Sequence, residues 1–149
     1  MPGGVPWRHK NASTRLRKPL SESPLAQETQ PASTLNIFRA FMRWRSAQPA
    51  LRWGDIRFIT TPEPVLAFTR QFEDQTLLAM FNLSAQAVAV NLPRDIRLEL
   101  LEGHGLRSGT IQDHLMYLPA HGTVFAILDA SARLSIERGL ESGTQGKAQ

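Results

Sequence analysis

Leu35-Asn-Ile-Phe-Arg-Ala-Phe-Met-Arg-Trp-Arg-Ser-Ala-Gln-Pro-Ala-Leu-Arg-Trp-Gly54 divides the chain into two unlike parts. Leu35, Phe38 and Met42 form one apolar row at helical spacing, and Ile37, Phe41 and Trp44 form a second. Together the rows span well over a third of the helix circumference, leaving Arg39, Arg43 and Arg45 for the remainder. Ser33 or Thr34 can cap the first turn by accepting from its orphan N–H groups. Pro49 disfavours helical geometry at Gln48, so the helix is expected to stop there. A rod with this much large apolar surface needs cover on more than one side.

Beyond Gly54 the hydrophobic period changes from helical to two. Strands are expected over 56–59, 65–70, 76–82, 87–91, 97–101, 115–118 and 123–128. Leu98 and Leu100 alternate with Arg97 and Glu99, the pattern of a half-buried strand. The runs 65–68 and 77–81 are apolar throughout, which predicts central strands covered on both faces. Gln71-Phe-Glu-Asp-Gln75 between them suits a hairpin loop. Close spacing of about seven short strands predicts an antiparallel β-sandwich, Greek-key-like, so the class is mainly β with one preceding amphipathic helix. Residues 1–31 hold Pro2, Pro6, Pro19, Pro24 and Pro31 without periodicity and read as an irregular loop segment. Residues 32–54 are the helix and its connector, and 55–129 the β domain. From 130 to 149 Gly139, Gly143 and Gly146 lie among polar residues, and a disordered tail is expected.

Composition sets limits on what the chain does. At 149 residues and 42% apolar content, one domain with a modest core fits. No run approaches the roughly 18 apolar residues of a membrane span, so no membrane role is expected. The first twenty residues carry Arg8, Lys10, Arg15, Arg17 and Lys18 without an apolar block, unlike a secretory signal, and a cytoplasmic location is the default. Cysteine is absent, which excludes disulfides and thiolate metal sites. The net charge of +4 is concentrated in positions 1–60, where ten Lys/Arg face Glu22, Glu28 and Asp55. Without aromatic interleaving beyond Trp7, this cluster reads as a solvated loop, and no nucleic-acid partner is expected.

Candidate chemistry is sparse. Glu73-Asp74 falls in the hairpin loop, where two carboxylates point into water and gain no pKa tuning. Glu99 and Glu102 lie near His104, but Gly103 and Gly105 around that histidine mark a turn. His104, His114 and His121 are scattered, and Asp113-His114 has no third ligand at a metal-binding spacing. Asn11-Ala-Ser13 and Asn82-Leu-Ser84 fit the glycosylation pattern, with Asn82 better placed to make a turn after its strand. Trp44 belongs to the helix's apolar face, and Trp53 is the remaining candidate for stacking on a sugar. No catalytic, cofactor-binding or metal residue is expected in the chain, and no cofactor.

Four blocks carry a family resemblance. The helix followed by Gln48-Pro-Ala-Leu-Arg-Trp-Gly54 resembles the end of the catalytic barrel in α-amylase-type glycoside hydrolases, in the α-glucosidase and oligo-1,6-glucosidase branch. Glu63-Pro-Val-Leu-Ala-Phe-Thr-Arg70, Leu78-Ala-Met-Phe-Asn-Leu-Ser84 and Pro119-Ala-His-Gly-Thr-Val-Phe-Ala126 are similar to successive strands of the C-terminal β domain of that branch. The likeness covers about residues 32–128. It implies that the helix is the last of a TIM barrel, and that the β domain covers and stabilises that barrel. It also implies a retaining parent enzyme acting on terminal α-glucosidic bonds, with two carboxylates about 5 Å apart. Those carboxylates belong to barrel segments that this chain does not match, so the chain alone is expected to be inactive. The implied partner is the catalytic barrel, or a second copy meeting the exposed helix face. Two other readings of the same residues are a carbohydrate-binding sandwich using Trp53, and an interaction protein docking a separately encoded barrel.

Overall fold

The computed structural model describes residues 23–94 and 96–142. A five-residue helix, α1 (Pro24–Glu28), precedes α2 (Thr34–Ser46) and the short α3 (Pro49–Trp53). Ser33 is the α2 cap, its Oγ accepting from the Asn36 N–H at 3.3 Å. The same hydroxyl donates to the Gln27 carbonyl at 2.6 Å, and Asn36 Nδ2 donates to the carbonyls of Gln27 and Gln30. These bonds fix α1 against the start of α2. Helix α2 ends where Pro49 predicts, with Gln48 extended at φ −103° and ψ 101°. Pro49 then opens α3, where a missing N–H costs nothing.

The strands are β1 (Asp55–Ile59), β2 (Val65–Phe72), β3 (Gln75–Asn82), β4 (Val88–Asn91), β5 (Leu98–Leu100), β6 (Thr110–Gln112), β7 (Leu115–Leu118) and β8 (Thr123–Leu128). After them come α4 (Ala130–Glu137) and the two-residue β9 (Glu141–Ser142). Sheet order is β1-β2-β3-β8-β5 in one layer and β6-β7-β4-β9 in the other, with every strand pair antiparallel. The expected sandwich is present. The hairpin is tighter than the expected five-residue loop, with only Glu73 and Asp74 between β2 and β3 and Glu73 at φ 51°.

Alternation along β3 explains its continuous apolar run. Leu78 and Met80 point between the sheets, where they meet Val90, Met116, Leu118, Val124 and Ala126. Leu77 and Ala79 point the other way, into a second cluster with Ala50, Leu51 and Phe125. Burial of each large side chain stabilises by roughly 1.5–3 kcal/mol, so β3 anchors both clusters. β2, by contrast, is covered on both faces only in part, because Leu66 stays exposed.

Residues 130–142 correct the expectation of a disordered tail. Asp129 caps α4, its Oδ1 accepting from the Ala132 N–H and the Ser131 hydroxyl, both at 2.7 Å. Ala132 and Ile136, four apart, are buried in the inter-sheet core, and Arg133 pairs with Glu137 at 3.0 Å. Burial of Ile136 outweighs the polar composition around it. α1 likewise replaces part of the irregular segment expected over 1–31. The expectations for residues 1–22 and 143–149 lie outside the described residues.

Candidate functional site

The outer face of the five-stranded sheet decides what this chain can engage. Helix α2 lies on that face through Phe41 and Trp44. The Trp44 ring is 4.8 Å from Phe125 and 5.9 Å from Phe41, centroid to centroid. Its Nε1–H donates to the Glu102 carbonyl at 2.8 Å, so the indole is fixed at both ends. α3 is held beside it, because Arg45 donates to the Leu51 carbonyl and Arg70 to the Ala50 carbonyl. Gly54 closes this junction: a Cβ there would lie 2.5 Å from the Ala50 carbonyl oxygen and 2.8 Å from that of Gln71.

His104 completes the seat of the helix. It is 2% exposed, with its ring 5.4 Å from Trp44 and 5.2 Å from Phe125. Gly103 and Gly105 flank it at φ 80° and 74°, a left-handed geometry that bends the loop under α2. Nδ1 accepts from the Leu106 N–H at 3.1 Å, so Nε2 carries the proton and donates to Ser108 Oγ at 3.2 Å. Burial lowers the pKa of this histidine from its ordinary value, and the Glu102 carboxylate opposes part of that shift. Its role is packing and loop fastening.

The other side of α2 is bare. Phe38 is 59% exposed and Met42 36%, with Ile37 also exposed. Arg39 and Arg43 flank them along a shallow groove that Asn36 completes. Arg39 pairs with Glu28 at 3.1 Å, half-exposed and therefore of small energetic weight. The apolar residues of α2 thus have different fates. Phe41 and Trp44 find the sheet, whereas Ile37 of the same row joins Phe38 and Met42 among the exposed residues.

The same sheet face runs out from under the helix toward β1. Phe125, Phe81, Phe68 and Phe58 form a row of ring contacts with centroids 5.7, 5.9 and 5.8 Å apart. Its inner end lies beneath α2, whereas Phe58 on the edge strand is 69% exposed beside exposed Ile56 and Leu66. Apolar surface therefore continues past the helix, and a contiguous patch of this kind marks an interaction surface.

The candidate acids lie apart from this face or in solvent. Glu73 and Asp74 are exposed in the hairpin turn, and Glu99 and Glu102 are exposed. Among the described residues no three His, Asp or Glu side chains gather to hold a metal, so the structure does not bring His104, His114 and His121 together. Asp113-His114 forms the turn between β6 and β7, with Asp113 at φ 55°. Asn82 is buried: its Nδ2 donates to the carbonyls of Gln86 and Pro119, and its Oδ1 accepts from the Ser84 N–H. That leaves no room for a glycan. Trp44 is packed as expected. Trp53 is 65% exposed with the Arg52 guanidinium 5.0 Å over its ring. Trp7 and Asn11 lie outside the described residues. No helix among the described residues is long and apolar enough to cross a membrane.

Residues 56–124 match the family described as "Maltogenic Amylase, C-terminal domain". A "Probable alpha-glucosidase" of Rhizobium meliloti (strain 1021) is 42% identical over 115 residues, which cover 74% of this chain and 20% of that protein. The chain thus spans about a fifth of that relative's length. The solved structure of an α-glucosyl transfer enzyme, XgtA, superposes with a TM-score of 0.66 at 36% identity, over 70% of this chain and 19% of that one. An α-amylase from H.orenii superposes with a TM-score of 0.57 at 23% identity, over 72% and 22%, a likeness of fold.

Proposed function

Because residues 56–124 belong to the C-terminal domains of α-amylase-family glycoside hydrolases, we propose that the chain covers and stabilises a catalytic barrel and supplies its last helix. The chain itself contributes no catalytic carboxylate in this reading. One observation carries it: α2 is seated by Phe41 and Trp44 while Phe38 stands in solvent and Met42 is partly exposed. A helix evolved only to cap this sandwich gains nothing from the second row. The barrel's core supplies the missing cover, and the surrounding Phe58, Ile56 and Leu66 meet its neighbouring surface.

The assembled enzyme hydrolyses terminal α-glucosidic bonds, a reading supported by the name of the 42%-identical relative. A cytoplasmic location belongs to the same proposal and is checked by cell fractionation. The functional test uses the Rhizobium meliloti relative cut before the segment that aligns with this chain. Mixed or co-expressed with this chain, that fragment is expected to hydrolyse 4-nitrophenyl α-glucoside, with neither partner active alone. Hydrolysis by this chain alone would overturn the proposal. So would a folded barrel fragment that neither binds the chain nor gains activity from it.

A further inference from the structure

The far side of the sandwich carries a recess of about 670 Å³, within the range of small-ligand sites. Strand alternation places it on the outer face of the four-stranded sheet. Val90, Met116 and Leu118 point into the core, so Ala89 and Tyr117 point outward. The register puts Ala89, Tyr117 and Thr110 in one row across three strands. Ala87, Ser108 and Pro119 line the recess around that row. Tyr117, the chain's one tyrosine, therefore has only small neighbours on its row among the described residues, with the larger Val88 and Leu118 completing the lining.

The polar groups at this recess are hydroxyls, and none of its lining residues is charged. Ser108 accepts the Nε2–H of His104, which leaves its own hydrogen free to donate outward. Among the described residues, the hydroxyls of Thr110 and Tyr117 have no hydrogen-bond partner. A half-buried aromatic ring edged by neutral hydroxyls matches a ligand with one apolar C–H face and a rim of hydroxyls. A charged ligand would find no counter-ion. A pyranose has this chemistry.

We propose that the recess at Tyr117 is a glucan-holding subsite, with one sugar ring stacked on Tyr117 and its rim hydroxyls bonded to Ser108 and Thr110. Its row of Ala89, Tyr117 and Thr110 belongs to the four-stranded sheet, whereas Ser108 at its rim is bonded to His104 beneath α2. The choice of glucan rests on the proposed function, whereas the geometry does not. The sugar would tether the protein to substrate chains and takes no part in bond cleavage.

The single tyrosine makes a direct test possible. The full chain labelled with 3-fluorotyrosine gives one ¹⁹F resonance, which is followed as maltoheptaose or isomaltotriose is added. A saturable shift is expected, with a Kd on the order of 1 mM for a single stacking platform. Thr110→Trp fills the recess from an exposed strand position and is expected to weaken binding about tenfold or more. Trp53→Ala is expected to leave it unchanged. Tyr117→Ala, read as lost retardation in a native gel containing soluble starch, is a second variant independent of the label.

No shift with either sugar would overturn the subsite, as would a shift that survives Thr110→Trp. Binding lost in Trp53→Ala would move the site to that indole and overturn it equally. Because β9 runs beside β4 toward Ala89, a chain ending at Ser142 is titrated in parallel. A response confined to the shortened chain would reassign the recess to the chain's own end. Glucosidase recovery with the barrel fragment is measured on Thr110→Trp as well, so a failed subsite and a failed barrel pairing give different results.

Discussion

Replacing Phe38 and Met42 together by serine separates what holds this chain folded from what it is shaped to meet. Full burial of a large apolar side chain is worth roughly 1.5–3 kcal/mol. Phe38 leaves 59% of its surface, and Met42 36%, still to be covered. Under the proposed pairing, covering both would therefore contribute about 1.5–3 kcal/mol of docking free energy. That corresponds to a ten- to hundredfold rise in the dissociation constant for the barrel fragment, at about 1.4 kcal/mol per tenfold. Titration of the wild-type and F38S/M42S chains into the fragment, followed calorimetrically, reads this directly. Thermal unfolding of the isolated chain should move less than it does for a buried residue, because Phe38 is largely exposed and only the covered part of Met42 is lost. Unchanged affinity would refute the reasoning. A large loss of stability in the isolated chain would refute it too, by showing that the row is already in use.

Trp44→Ala should behave in the opposite way. It removes the ring contacts with Phe125 and His104 and the bond to the Glu102 carbonyl, and should cost the isolated domain about 2–4 kcal/mol in denaturant titration. Gly54→Ala drives a methyl against two backbone carbonyls and should cost about 1–3 kcal/mol, read as a lowered Tm. The lowered pKa of His104 means that the unfolded chain takes up a proton first as the solution is acidified. Its contribution is therefore complete above the unfolded value of about 6.5 and is lost as pH falls from there toward the folded value. His104→Gln should lower stability at neutral pH but flatten the Tm profile below it, and an equally steep acid limb in the variant would exclude this histidine as the cause. The free chain should also self-associate with concentration through the bare α2 face, with F38S/M42S reducing the effect in sedimentation.

Local pattern carried most of the fold, because strands such as β2, β3 and β8 are long enough for a period of two to show. Pro49 likewise announced the end of α2 through backbone sterics alone. α4 was missed, although the Asp129 cap, the Ala132 and Ile136 spacing and the Arg133 and Glu137 pair all lay in the sequence. Gly139 and the polar residues beyond masked that signal. β9 was not legible, since two residues are too few for a period and its pairing is set by the distant β4, and β6 lacks the apolar alternation that marks β5. The site divides in the same way. Two apolar rows on α2 were visible in the spacing, but which row met the sheet depended on Phe125 and Glu102, far along the chain. The pattern Ile56 and Phe58 reads as core, yet β1 is an edge strand whose outer face nothing in the sandwich covers. The recess at Tyr117 exists only once Ala89, Tyr117 and Thr110 come into register.

Methionine oxidation offers the sharpest test that one side of α2 awaits a second body. Met42 is partly exposed on α2, whereas Met80 and Met116 are fully buried in the sandwich and act as internal controls. Under brief hydroxyl-radical exposure read by mass spectrometry, Met42 in the free chain should oxidise far faster than either control. Adding the barrel fragment should slow Met42 toward the rate of Met80. A Met42 already as protected as Met80 in the free chain would contradict the two-body helix, and so would one whose rate is indifferent to a bound barrel.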